Sequence, residues 1–251
     1  MKIDMHVHTN ASHDSPNTLA QIEEYAQSKG LSGVAICNHN IYVEYKSDKI
    51  FIIPAAEYST DAGHILVYFL QSDIAKQLQK NKNGLFFWQD LIDLAHSQGA
   101  LCFLAHPFAP PKQRPAEFFK YIDGIEVINA KSEYALKADC NKQAQILCKK
   151  HALGFCAGSD SHFCGEIGSA YTQFEARDVK DLKQCLANKS CVAVCDNISP
   201  FYKPLRQAWF YFKKREFKKS LKCAARLFVA ATVIAQKRKR HYTFDQRSNQ
   251  Q

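Results

Sequence analysis

The chain has 251 residues, 46% of them apolar, enough for one large domain with a full core and an appendage. Its net charge of +9 is unevenly placed: residues 203–240 hold 13 Lys/Arg against the single acid Glu216, whereas residues 1–202 hold 19 bases and 22 acids. Attraction to an anionic partner therefore belongs to the tail and not to the body. No apolar run reaches the ~18 residues of a membrane span, and Asp4, His6 and His8 interrupt any signal-like segment at the start. The ten cysteines form no C-x-x-C pair, and Cys37, Cys102 and Cys156 sit inside apolar runs, which points to a reduced, cytoplasmic protein.

In chain order, residues 2–8 read as a strand and 18–29 as a helix begun near Ser15-Pro16 and stopped by Gly30. Residues 33–39, 50–59 and 64–70 read as strands, and 85–97 carries helical spacing up to Gly99. A strand at 101–106 closes at Pro107; another follows at 124–129, then a helix over 133–151. Strands at 153–159 and 170–174, a short helix at 177–187 and a strand at 191–195 complete the body. This alternation favours a parallel α/β architecture, and polar residues ending many strands favour a closed barrel over an open sheet. Only about ten residues separate the second and third strands, too few for a crossover helix, so the barrel must be distorted there.

Six histidines follow or close these strands: His6, His8, His39, His64, His106 and His162. Alternation puts His6 and His8 on one strand face, roughly 6–7 Å apart, the placement of a metal clamp. Glu57 and Asp160 lie in or at the end of apolar strands, where an unpaired carboxylate is costly. Mixed imidazole and carboxylate ligands suit Mn, Fe or Zn. His96, His151 and His241 fall in a helix, at a helix end and in the tail, and read as ordinary surface or capping residues.

Taken together, His6-x-His8, Asp14, Asn38-His39-Asn40, Glu57, Gly63-His64, His106-Pro107, Glu126-x-x-Asn129 and Gly158-Ser159-Asp160-Ser161-His162 resemble the PHP (polymerase and histidinol phosphatase) family. The resemblance covers roughly residues 1–196. It implies a distorted (β/α)7 barrel and a metal-dependent phosphoesterase that binds two to three divalent ions and uses a metal-bound hydroxide. It further implies a first ion held by His6, His8, Glu57 and Asp160, a second by Glu57, His64 and His106, and a third by Asp14, His39 and His162. Glu57, Asp160 and His162 would be the residues at the reacting atoms. Two departures stand out. Cys37-Asn38-His39 replaces the Thr-Asp-His of many members, and His13 rivals Asp14 for one ligand position.

Glu126 and Asn129 would support ligands from behind or touch substrate. A phosphate substrate also calls for a protein cation, with Arg114 and Lys131 the best-placed candidates. The substrate class stays open among nucleotide, oligonucleotide and small phosphomonoester. The rival reading is a non-catalytic module that acts through its tail. The division expected is a body over 1–198 and a basic, mainly helical extension over 199–251 with a disordered end. Within 205–240 the bases and aromatics suit an anionic membrane surface, nucleic acid, or packing on the body or a protein partner; a peripheral location at the membrane would follow from the first. Because every candidate ligand precedes residue 163, the tail is expected to be dispensable for hydrolysis.

Overall fold

β1 (Lys2–Val7) runs through the middle of the molecule, every residue after Lys2 buried. The protein is described here by a computed structural model covering residues 1–108, 113–135, 139–196, 201–236 and 241–245. Helix α1 (Leu19–Ser28) is capped by Thr18, whose Oγ1 accepts Gln21 N while Gln21 Oε1 accepts Thr18 N. That reciprocal pair satisfies two amides that the helix itself cannot. α1 returns the chain to β2 (Gly33–His39), parallel to β1, and β3 (Phe51–Thr60) is parallel to β2. The 40–50 connection carries no helix, as its length requires.

From β3 onward the chain leaves the regular strand–helix alternation. Only Asp61 and Ala62 separate β3 from β4 (Gly63–Tyr68), and so short a link closes an antiparallel hairpin rather than a parallel crossover. After α2 (Trp88–Ser97), β5 (Leu101–Leu104) is antiparallel to β4, and β6 (Gly124–Asn129) is parallel to β5. Two helices, α3 (Ala130–Ala135) and α4 (Cys140–His151), replace the single helix expected over 133–151 and lead to β7 (Gly154–Gly158), parallel to β6. β8 (Ala170–Phe174) is antiparallel to β1; α5 (Val179–Ala187) then leads to β9 (Cys191–Cys195), antiparallel to β8.

The strands form one sheet in the order β10-β9-β8-β1-β2-β3-β4-β5-β6-β7, where β10 is Tyr242–Phe244. The sheet curls strongly. Tyr68 on β4 donates across the interior to Met5 O on β1 (2.9 Å). Beyond β7 the chain comes back against β1, with His8 N donating to Ser161 O (3.0 Å) and Ser161 N to His6 O (3.3 Å). Gly158 permits that approach, because a Cβ there would lie 2.4 Å from His6 Cβ. The concave side is filled by fully buried Ile3, Met5, Tyr68, Phe103 and Phe155, each such side chain contributing about 1.5–3 kcal/mol of burial free energy. The barrel expected from the sequence thus appears as a curled ten-stranded α/β sheet with antiparallel pairs in place of a regular repeat.

The tail departs from expectation at its end. Tyr242–Phe244 is not disordered: it pairs antiparallel with β9, and Phe244 packs edge-on against Phe155 (centroids 5.0 Å apart). Before it come helices α6 (Tyr202–Lys213) and α7 (Phe217–Gln236). The expected boundary at 198/199 lies outside the described residues, as do 237–240 and 246–251. No disulfide forms among the described residues, and nine of the ten cysteines are buried. No helix among the described residues is long and apolar enough to cross a membrane.

Candidate metal centre

The strand ends place the candidate ligands with little freedom. Register pairs His39 with Glu57 across β2 and β3, and the β3–β4 hairpin sets His64 opposite Ser59. His6 and His8 end β1 on one face, their Nε2 atoms 3.1 Å apart and both rings fully buried. Asp160 and His106 hold left-handed backbone angles (φ +54° and +25°). Such conformations cost ~1–3 kcal/mol each and persist where the surroundings over-determine them.

Glu57 stands at the centre. Its Oε1 lies 2.7 Å from His64 Nδ1 and 2.9 Å from His106 Nε2. Its Oε2 lies 3.0 Å from His39 Nδ1, 3.4 Å from His6 Nε2 and 3.5 Å from His8 Nε2, yet makes no hydrogen bond. Asp160 Oδ1 is 3.5 Å from His8 Nε2, 3.9 Å from His6 Nε2 and 3.4 Å from His162 Nδ1. Asp14 Oδ2 is 3.0 Å from His162 Nε2 and 3.7 Å from His39 Nε2, while its Oδ1 is buried without a hydrogen bond. Ligand atoms of three triplets lie within 4.8 Å of one another: His6, His8 and Asp160; Glu57, His64 and His106; His8, His39 and His162. His13, the rival to Asp14, is exposed and only faces the His39 ring at 5.7 Å.

The electrostatics ask for cations. Burial alone would deprotonate His6, but Glu126, Asp160 and Glu57 outweigh it and hold the imidazole well above its usual range. Burial likewise opposes charge on His39, and Glu57 and Asp14 override it, pushing the group up to about 10. Burial would neutralise Glu57, yet His64, His6 and His39 hold it well below the carboxylate range. His8 goes the other way, driven down by burial and by the neighbouring His162. A buried carboxylate oxygen faced by imidazole nitrogens without hydrogen bonds, in an oxygen- and nitrogen-rich donor set, fits divalent transition ions.

Partners behind the ligands fix their orientation. Glu126 Oε1 is 2.9 Å from His6 Nδ1, turning His6 Nε2 inward, and its Oε2 accepts from His106 N (2.8 Å) and Asn129 Nδ2 (2.9 Å). Asn129 Nδ2 also lies 3.2 Å from Asp160 Oδ2. Glu126 and Asn129 thus contact the candidate ligands His6 and Asp160 and the His106 backbone. Asn38 does not reach the cluster; its Oδ1 accepts from Thr9 N, Thr9 Oγ1 and Ser12 Oγ, tying down the loop after β1. Sequence reasoning missed Asp4, whose buried carboxylate accepts from His6 N, Ser159 N and Gly168 N. Strand parity would have misplaced it, because a register shift between Asp4 and Val7 turns Asp4 to the face opposite His6 and His8.

The two candidate cations are placed differently. Lys131 points into the cluster, Nζ 2.8 Å from Asp160 Oδ1 and 3.4 Å from His162 Nε2. Arg114 donates through Nε to Ala62 O (2.8 Å) and through Nη2 to Pro107 O (3.1 Å), bracing the backbone beside His64 and His106. His96 lies outside the centre, paired with Asp123 (2.9 Å), as do His151, stacked on Phe119, and His241.

Comparison with known proteins bears on the family and the fold. A family model described as PHP-associated (PHP_C) matches residues 139–188. An uncharacterized protein of Methanocaldococcus jannaschii is 30% identical over 189 residues, covering 72% of this chain and 73% of the relative. A Caldicellulosiruptor bescii protein named "Probable phosphatase" is 24% identical over 205 residues, covering 67% of this chain and 82% of the relative. Among solved structures, a Bacteroides vulgatus two-domain protein "containing predicted PHP-like metal-dependent phosphoesterase" superposes with TM-score 0.60 at 20% identity, over 77% of this chain and 64% of that one. This chain therefore spans under two thirds of that structure. PsfC from Pseudomonas syringae superposes with TM-score 0.61 at 18% identity, over 84% of this chain and 98% of that one. Both likenesses are of fold. With a curled sheet of this kind, strand-end histidines and carboxylates gathered at one site, and a relative matched over most of both lengths, the chain belongs to the PHP family.

Proposed function

We propose that this protein is a metal-dependent hydrolase of phosphate esters. The observation that carries the reading is Glu57, a fully buried carboxylate with imidazoles around both oxygens and no hydrogen bond to Oε2. His6, His8, Glu57 and Asp160 would hold one divalent ion, Glu57, His64 and His106 a second, and Asp14, His39 and His162 a third. Bound ions would neutralise the anionic oxygens of the ester and acidify the attacking water, which supplies most of the chemistry a phosphate ester needs.

The chain's own residues supply position and access. His6 and His8 are sealed, whereas His64, Asp14 and Lys131 have side chains 37, 24 and 27% exposed, so they mark the mouth through which an ester reaches the centre. Lys131 presents an ammonium there, suited to a phosphoryl oxygen. Glu126 holds His6 and the His106 backbone in place, and Arg114 braces the loops beside His64 and His106. The substrate class remains a phosphate ester in general, nucleotide, oligonucleotide or small monoester.

The test is metal content measured with activity. Protein purified, stripped with chelator and reloaded with Mn, Zn or Fe should bind two to three ions per chain and hydrolyse p-nitrophenyl phosphate or its bis-diester. Protein that takes up none of these metals, and hydrolyses neither ester with them, would show the reading to be wrong. Protein that binds the metals but hydrolyses no phosphate ester would support the non-catalytic module instead.

A further inference from the structure

Helices α6 and α7 fold back on one another as a hairpin. α7 turns one face to α6, where Ser220 Oγ donates to Ala208 O (2.7 Å) and Cys223 is buried near Gln207. Phe217, Leu221 and Ala225 occupy another face, each four residues from the next and so in line along the helix. That line is uncovered: Phe217 is 59% and Leu221 74% exposed. Phe212, at the end of α6, is also 59% exposed and stands beside Phe217, ring centroids 5.8 Å apart. The tip of the hairpin thus holds three large apolar side chains out in solvent.

Charge narrows what can cover them. Among residues 212–222, six are basic and one is acidic. All six bases are exposed, and the one acid, Glu216, is ion-paired with Lys219. A contiguous exposed apolar cluster marks a surface that another phase or molecule covers, and here the cover must be anionic and also offer apolar depth. Lipid headgroups over an acyl layer offer both, the apolar side entering ~5–10 Å while Lys and Arg stay among the headgroups. Nucleic acid matches the charge and could stack on Phe212 and Phe217, but it offers little to Leu221.

We propose that the α6–α7 tip docks this protein on an anionic phospholipid surface, with Phe212, Phe217 and Leu221 inserted and Lys213, Lys214 and Lys218 on the headgroups. α6 rests along the loop after His162, with Tyr202 at its start lying over Gly165 and Trp209, one turn before the tip, packing edge-on against Phe163 (6.1 Å). A twelve-residue helix spans ~18 Å, so docking would hold the metal centre close above the headgroups.

The full chain would be sedimented with phosphatidylcholine vesicles and with vesicles that also contain phosphatidylserine. We expect partitioning onto the mixed vesicles that moderate salt weakens without abolishing. Phe212→Ser with Phe217→Ser should weaken it about tenfold or more, and so should Lys213→Glu with Lys214→Glu. Both pairs are on the surface, so unchanged melting midpoints would show that the fold is kept. Leu221→Ser is the second probe if either pair misfolds, and should also weaken partitioning. Absence of sedimentation, equal binding to neutral vesicles, or binding that the apolar substitutions leave unchanged would each overturn the proposal. A single-stranded oligonucleotide bound in preference to the mixed vesicles, with a steep log-linear salt dependence, would replace it with nucleic acid.

Discussion

Glu166 and Arg206 join two parts of the chain that the sequence sets forty residues apart. Glu166 Oε2 accepts the backbone amides of His162 (2.9 Å) and Phe163 (3.0 Å), and its Oε1 stands 3.4 Å from Arg206 Nη1 on α6. The loop that carries a candidate ligand is therefore held by a carboxylate that also touches the C-terminal helices. This changes the expectation that the tail is dispensable for hydrolysis. Glu166→Ala leaves two amides without their acceptor and should cost about 1–3 kcal/mol of stability, with a matching loss of turnover. Arg206→Ala removes one long, partly exposed contact and should cost under about 1 kcal/mol. Thermal melts and steady-state rates on both variants check the order; equal effects would show that Glu166 acts chiefly through Arg206.

Glu57→Gln keeps the shape and removes the central charge. It should lower the number of bound divalent ions and reduce phosphate-ester hydrolysis on the order of 10³-fold, the scale of losing a main electrostatic element. Elemental analysis and rates on the same preparation decide it. Full metal content with near-normal turnover would remove Glu57 from the centre.

Glu126→Gln probes support from behind the ligands. Its two oxygens serve His6 Nδ1, His106 N and Asn129 Nδ2, and an amide cannot accept all of these. Loss of such a partner costs about 10–100-fold in metal affinity or activity. Competition with a metal-chelating dye measures the affinity directly. An unchanged affinity would mean that His6 is oriented by packing alone.

Much of this centre was legible in the sequence, for identifiable reasons. His6 and His8 show through strand parity, and Glu57 and Asp160 through carboxylates in apolar surroundings. Asp4 is not legible, because the register shift in β1 takes it off the face of His6 and its role exists only once residues 159–168 return to β1. Glu166 is invisible for a related reason, as its importance depends on the amides of a loop that turns back on it. In the fold, the 40–50 gap showed where the pattern would distort, whereas the two-residue β3–β4 link was hidden by the general strand–helix alternation. β10 has three residues in a polar stretch, too few for a period; it forms because β9 offers a free edge.

Lys131 separates two effects with opposite signs. Its ammonium lies 2.8 Å from Asp160 Oδ1 and, after burial, which pulls the other way, is the main influence keeping that carboxylate well below its usual range. Lys131→Met should tighten divalent-ion binding by removing a competing positive charge. It should also lower kcat/KM for a phosphate monoester about tenfold or more, by removing a cation at the mouth. Titration with metal and initial rates report the two separately. A rate that rises together with metal affinity would show that Lys131 only opposes the ion and does not serve the substrate.

The pH dependence follows from the carboxylates around His39. Burial disfavours its charged form, but Glu57 and Asp14 raise it from 6.5 to about 10 in the folded chain. The folded state of the metal-stripped protein thus holds a proton that the unfolded chain releases near 6.5. Its contribution to stability is complete below that pH and is lost as pH rises through about 10. A divalent ion must displace the same proton, so metal affinity should increase over this window, and His6 and His106, also raised, act in the same direction. His8 and His162 are lowered and have little proton to give up. The melting temperature of stripped protein should therefore fall between pH 6.5 and 8.5 while the gap to metal-loaded protein widens, and calorimetry in buffers of different ionisation enthalpy should register proton release on loading. A gap that narrows with rising pH, or loading without proton release, would mean that His39 is already neutral in the folded chain and that Glu57 and Asp14 do not hold its charge.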